Sequence, residues 1–273
     1  MHTTAERRGA PSAGSDLPSP GHRPPRGTAE VWSLRPDPGQ VAAAEELGHL
    51  LDPAERDRVA RCGDESGRAS LLASHVALRL LLGAYLGCAP DRVPIEHANC
   101  RGCGRRHGRP VVPARPPLHF SLSHTSGLAV VAFAATPVGA DVETLASVPG
   151  TDLVPLLHPV EQRAIRALPA DLQARAFLHC FVRKEAYLKG TGDGLWAELD
   201  SFCVGLGPAY ETVGDRASGA GTEPEDWAFA EIATPQTHGG AVALHLPGWE
   251  ERGPRVRVRL RTVDLPLWAS RQL

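Results

Sequence analysis

Two carboxylates two residues apart, Asp141 and Glu143, stand in the run Val138-Gly139-Ala140-Asp141-Val142-Glu143. On a β-strand both acids share one face, roughly 7 Å apart, while Val138, Ala140 and Val142 take the other. Like charges so placed repel unless a cation lies between them. The same alternation also describes an ordinary solvated strand edge. A third acid, Glu185, lies in Phe181-Val182-Arg183-Lys184-Glu185-Ala186-Tyr187-Leu188-Lys189. Glu185 comes four residues after Phe181 and three after Val182, on the apolar side of the helix that this spacing predicts. A carboxylate there is paired, protonated or bound to a metal; one local pairing is with Lys189, a turn further on. The chain's 29 basic residues include only two lysines, Lys184 and Lys189. Their clustering fits a site that needs compact ammonium groups rather than forked guanidinium groups.

Three further groups have the chemistry to bind anions or metals. In His119-Phe120-Ser121-Leu122-Ser123-His124, hydroxyls and an imidazole gather where a strand turns, which suits phosphate recognition. A Ser123–His124 nucleophile pair is poorly placed, because adjacent strand residues point apart; a turn bonded to its own hydroxyls is the plain alternative. Arg58, Arg68 and Arg79 lie on predicted helices and Arg109 in Gly108-Arg109-Pro110; each is a candidate phosphate clamp or a solvated cation. His97, Cys100, Cys103 and His107 put four soft donors within eleven residues, a spacing that can hold zinc at Cys100 and Cys103 or form a loop of reduced thiols.

The elements that must carry these groups follow from the pattern. Residues 1–28 are rich in Pro, Gly and Arg and read as a disordered tail. Short strands are expected at 31–34, 118–123, 128–134, 138–144, 202–206, 227–232 and 241–246. Helices are expected at 41–51, from Pro53, at 66–86, after Pro155 or His158, and at 171–189 with Asp171 as cap. A polar connection spans 212–225, and an alternating strand at 256–260 has no evident partner. The order is helices then strands, twice. This predicts an α+β fold of two similar lobes related by a pseudo-twofold: an N-terminal lobe over 29–137, a C-terminal lobe over 138–250 and an unassigned extension over 251–273.

Composition sets outer bounds. The 273 residues carry a net charge of -2 and 42% hydrophobic residues. A global basic field for nucleic acid is missing, and no run approaches the eighteen or so apolar residues of a membrane span. No apolar stretch follows the basic N-terminus, so a cytoplasmic protein with six reduced cysteines is expected.

In order and spacing, Gly108-Arg109-Pro110, Phe120-Ser121-Leu122-Ser123-His124, Gly139-Ala140-Asp141-Val142-Glu143 and Phe181-Val182-Arg183-Lys184-Glu185-Ala186-Tyr187-Leu188-Lys189 resemble the Sfp-type phosphopantetheinyl transferases, from about residue 51 to 206. Phe181 stands where that family more often has Trp, and Arg109 where it more often has Lys. The resemblance implies a cleft between the lobes that binds coenzyme A. It also implies transfer of the 4'-phosphopantetheine arm to a serine of an apo acyl or peptidyl carrier protein, with release of 3',5'-ADP. It assigns Mg2+ to Asp141, Glu143 and Glu185, catalytic roles to Glu185 and Lys189, and phosphate contacts to Ser123, His124, Lys189, Arg109, Arg58, Arg68 and Arg79. Since the two-lobed family form usually acts as a single chain, the resemblance also implies a monomer. Two alternatives stay open: a metal-dependent phosphohydrolase of a nucleotide-linked pyrophosphate, and a non-catalytic carrier-binding relative.

Overall fold

The computed structural model describes residues 16–100, 102–147, 152–194, 197–210, 224–248 and 256–271. Residues 1–15 of the expected tail and 212–223 of the expected connection lie outside them.

The fold is α+β, built as four layers. One sheet has the order β4-β5-β1-β9, from strands β1 (Thr28–Leu34), β4 (His119–Thr125), β5 (Leu128–Ala134) and β9 (Arg257–Thr262). A second has the order β6-β8-β7, from β6 (Val138–Thr144), β7 (Trp227–Glu231) and β8 (His238–His245). Period-2 alternation sorts their side chains. Trp32, Leu34, Val131 and Phe133 face helices α1 (Pro38–Glu46), α3 (Glu65–Leu86) and α6 (Leu265–Ser270). Val31, Val130 and Ala132 face the other way and meet Val138, Ala140, Val142 and Val242 of the second sheet. That sheet's outer face, through Ala241 and Ala243, packs on α5 (Ala170–Thr191). A tiny hairpin of β2 (Glu96–His97) and β3 (Pro110–Val111) stands apart.

Local chemistry explains the ends. Asp52 caps α2 (Pro53–Ala60) in a reciprocal box with Glu55, and Gly192 in the left-handed conformation closes α5. Asp171 is not the cap of α5: the helix starts at Ala170 after Pro169, leaving Asp171 in the first turn where its charge favours the helix dipole. The strand expected at 202–206 is irregular chain, because its backbone is taken up by side chains of α4 (Pro159–Arg166) and α5, described below.

Three expectations change more substantially. Residues 16–27 are tied down rather than trailing: Gly21 N donates to Tyr85 O at 3.0 Å, and His22 Nε2 lies 3.0 Å from Glu30 Oε1. Few apolar side chains are needed when backbone and imidazole bonds do the anchoring. The extension's unplaced strand is β9, parallel to β1, with α6 following it onto the same core. Its partner is distant in sequence and parallel, so no turn signal announces it. Finally, α3 is apolar and long enough to pass for a membrane helix, but 72% of its most apolar window is buried, as the core of the first sheet requires.

Candidate active site

The site forms where β4, at the edge of the first sheet, meets β6, at the edge of the second. β4 and β6 are both edge strands, whose outward amides need partners. Ser121 Oγ accepts from Ala140 N at 3.0 Å, and Ser123 Oγ from Val142 N at 3.3 Å. This seam fixes the face of β6 that carries Asp141 and Glu143 relative to β4.

Gly139 on that same face lets α5 approach. A Cβ there would overlap the Ala186 carbonyl oxygen and the Gly190 amide. A Gly139→Ala substitution must therefore push α5 off β6. We expect a loss of about 3 kcal/mol or more in stability, readable as a lowered denaturation midpoint; an unchanged midpoint would contradict this packing.

With α5 seated, Lys189 Nζ lies 2.6 Å from Asp141 Oδ1 and donates to Ser123 Oγ at 2.9 Å, while Ser123 Oγ donates to Asp141 Oδ1 at 2.8 Å. Glu143 Oε2 accepts from Thr125 Oγ1 at 3.0 Å and Ser147 Oγ at 3.1 Å. Asp141 Oδ2 is buried without a hydrogen-bond partner. Burial first, then Asp141 and Glu143, raise the Glu185 carboxyl above the ordinary carboxylate range, against the pull of Lys189. Three carboxylates around one ammonium leave two negative charges uncompensated. An orphaned buried oxygen within a set of hard oxygen donors fits a divalent cation such as Mg2+. The three carboxylates do not close to mutual ligand distance by themselves: among the described residues, the one group of three donors within 4.8 Å is Cys100, Cys103 and His107.

Beside this cluster lies a cavity of about 750 Å³. Glu185, Lys189, His124, Arg109 and Arg58 line it. Neither Asp141 nor Glu143 lines it, but Asp141 is bonded to Lys189 of its wall. Arg109 is held by its Nη1 donating to Gly190 O at 2.8 Å. Desolvation, then His75 and Lys189, lower the His124 imidazole from its ordinary value.

The other expected phosphate contacts fall elsewhere. Ser123 is buried and absent from the cavity wall; its hydroxyl is spent on Asp141 and Val142, so it positions Asp141 and Lys189. Arg79 is buried, with its guanidinium bonded to Glu55, Asp52 at 2.7 Å and Pro90 O. Arg68 is exposed on α3 and does not line the cavity. Lys184 does not join the site either: it is fully buried and paired with Glu161 at 2.8 Å. In its place the wall contains His75, Asp52 and Glu55. His75 lies 3.3 Å from Glu55 Oε1. Burial disfavours the Glu55 carboxylate, yet bonds from His75, the Asp52 amide and Arg79 hold its carboxyl below the usual range. His75 sits within the apolar stripe of its helix, which concealed it; a histidine at an otherwise apolar helical position was the available signal.

His119, at the start of β4, faces a small cavity beside Arg109. Burial, then Arg109 and His245, push its imidazole down from 6.5 to about 4. Between these values the unfolded chain binds a proton that the folded chain refuses, so stability falls as pH drops through this window. A His119→Gln variant is expected to shift the acid-unfolding midpoint to lower pH; a midpoint that stays put would contradict the half-buried neutral imidazole.

The comparisons with known proteins agree with this geometry. The sequence model of the 4'-phosphopantetheinyl transferase superfamily matches residues 137–213. The chain is 29% identical over 230 residues to the 4'-phosphopantetheinyl transferase HetI of Nostoc sp., covering 81% of this chain and 90% of that protein. It is 25% identical over 162 residues to the 4'-phosphopantetheinyl transferase Sfp of Bacillus subtilis, covering 59% and 69%. It is 26% identical over 219 residues to the human L-aminoadipate-semialdehyde dehydrogenase-phosphopantetheinyl transferase, covering 72% and 68%.

Proposed function

Because the chain belongs to the 4'-phosphopantetheinyl transferase superfamily, we propose that it moves the 4'-phosphopantetheine arm of coenzyme A onto a serine of an apo acyl or peptidyl carrier protein, releasing 3',5'-ADP. The observation that carries this is convergence. Arg109, His124, Glu185 and Lys189, from three separate motifs, line one cavity, with the Asp141 carboxylate bonded to Lys189 and the charges of Asp141 and Glu143 acting on Glu185. A cavity of about 750 Å³ is in the range that holds a cofactor-sized molecule.

Asp141, Glu143 and Glu185 would hold Mg2+, which when bound supplies charge neutralisation for a diphosphate. The protein's own residues do the rest. Arg109, Arg58 and His124 bind and orient phosphate oxygens. Lys189, balanced against Asp141, offers its ammonium to the same charge. The carrier serine oxygen forms a bond to the phosphorus that bears pantetheine, and the bond from that phosphorus to the ADP oxygen breaks. Glu185 takes the serine proton. Such a displacement needs alignment and charge neutralisation more than covalent help.

Each sheet carries one 22-residue helix, α3 or α5, which supports reading the halves, divided near 137/138, as lobes related by a pseudo-twofold. The cavity draws on both. For the carrier, Leu156 and Leu172 are exposed, as are Arg163 and Arg166 on α4 between them in sequence, and we propose that they form an apolar and basic surface suited to an acidic partner. The setting proposed is the cytoplasm, in keeping with six free cysteines, with the chain acting as a monomer.

Incubating the protein with coenzyme A, Mg2+ and an apo carrier, then weighing the carrier, tests the reading. A gain of one phosphopantetheine supports it. Nucleotide release without that gain, or no change with any of several carriers, contradicts it.

A further inference from the structure

We propose that Cys100, Cys103 and His107 bind one zinc ion, forming a knuckle that closes the β2–β3 hairpin and sets Arg109 on the cavity wall. The fold brings these three side chains together although nothing in the transfer reaction uses them. Their donor atoms all lie within 4.8 Å of one another, and Cys103 Sγ is 2.8 Å from His107 Nε2. Donors around a tetrahedral zinc, with bonds of about 2.0–2.3 Å, stand within about 4 Å of each other. Two sulfurs and an imidazole are a soft set that favours zinc over magnesium or calcium.

The backbone is already wound as a metal knuckle requires. Gly104 N donates to Cys100 O at 2.8 Å, Cys100 N donates to Arg105 O at 2.7 Å, and Gly104 takes φ 72° where a side chain would be strained. The ladder runs on into the hairpin: Gly108 N donates to Ala98 O at 2.8 Å and Ala98 N to Arg109 O at 3.0 Å. A hairpin whose paired strands are two residues each, with an exposed polar tip, buries too little to hold itself, and a bound ion is the usual remedy for such a segment. Cys103 and His107 are exposed, so an ion has a route in, whereas Cys100 is buried and lines the large cavity together with His107. His97 is outside the cluster, its Nδ1 bonded to Gly108 O at 3.0 Å, which leaves the fourth zinc position to solvent.

The functional consequence is positional. Arg109 follows His107 by two residues and is the bridge from this hairpin to Gly190 at the end of α5. Only this consequence rests on the transferase reading; the zinc site stands on the donor geometry. The test uses the full chain, purified under reducing conditions. Metal analysis should return one zinc per chain. The zinc-stripped chain titrated with Co2+ should develop a thiolate-to-cobalt charge-transfer band at one equivalent. Cys103→Ser should diminish the band, and Cys103→Ser and His107→Ala should each weaken metal binding at least tenfold so that the band no longer saturates at one equivalent, with unchanged far-ultraviolet circular dichroism because both positions are exposed. His97→Ala should keep both. A stripped, reduced chain with no band, or full binding by Cys103→Ser, overturns the proposal. Stripping zinc should also raise KM for coenzyme A while kcat stays near its original value. A chain that binds zinc stoichiometrically yet never loads a carrier contradicts the transferase reading and leaves the zinc site standing.

Discussion

An Asp141→Asn variant is expected to lose carrier loading by at least about a thousand-fold, the scale on which removing one charge from a preorganised electrostatic centre acts. The substitution keeps the shape and one acceptor oxygen, so Ser123 and Val142 retain their seam at the β4–β6 edge. What disappears is the charge that holds Lys189 at 2.6 Å and the buried Oδ2 that no hydrogen bond satisfies. The loss should fall on kcat with coenzyme A still bound, because Arg109, Arg58 and His124 line the cavity independently of Asp141. The thermal midpoint should stay within a few degrees. Loading at the normal rate, or global unfolding, would both contradict the role given to this carboxylate.

Lys184→Met is expected to cost about 3–5 kcal/mol of stability and to lower the thermal midpoint by roughly 10 °C. Lys184 has no exposed surface, pairs with Glu161 at 2.8 Å, donates to the Leu199 and Phe202 carbonyls and sits 4.2 Å from the Phe202 ring centroid. Glu161 in turn accepts from Val204 N at 2.7 Å and Gly205 N at 3.3 Å. Methionine fills the space but strands a buried carboxylate. Replacing Glu161 as well should recover much of the loss, since no charge is then left alone. If the single variant melts with the parent protein, or the double variant melts lower still, the buried pair is not what pins residues 197–206 to α5.

These two lysines mark how far the amino-acid pattern could be read. Both stand in one motif, and their proximity in a chain otherwise served by arginine pointed to chemistry. Lys189 does reach the carboxylates; Lys184, five residues away, turns to the opposite side and serves the fold. Helical spacing distinguishes faces but not which face meets a cavity. The alternation over 138–144 was legible for the same reason that Gly139 is needed: a strand face must meet either core or site. The clamp at Arg79 was not legible, because an arginine on a buried helix is equally a phosphate ligand or the counter-ion of Asp52 and Glu55 until the partners are placed. His75 was hidden by its neighbours' hydrophobicity, and β9 by the long sequence separation of its partner β1.

Crystals grown with coenzyme A and Mn2+ in place of Mg2+ offer the most direct check on the central arrangement. The anomalous signal should give a single manganese peak in contact with carboxylate oxygens of Asp141, Glu143 and Glu185, on the cavity side and within reach of the diphosphate. A peak bound elsewhere with these three acids dry, or a bound diphosphate with no ion between it and Glu185, would contradict the account.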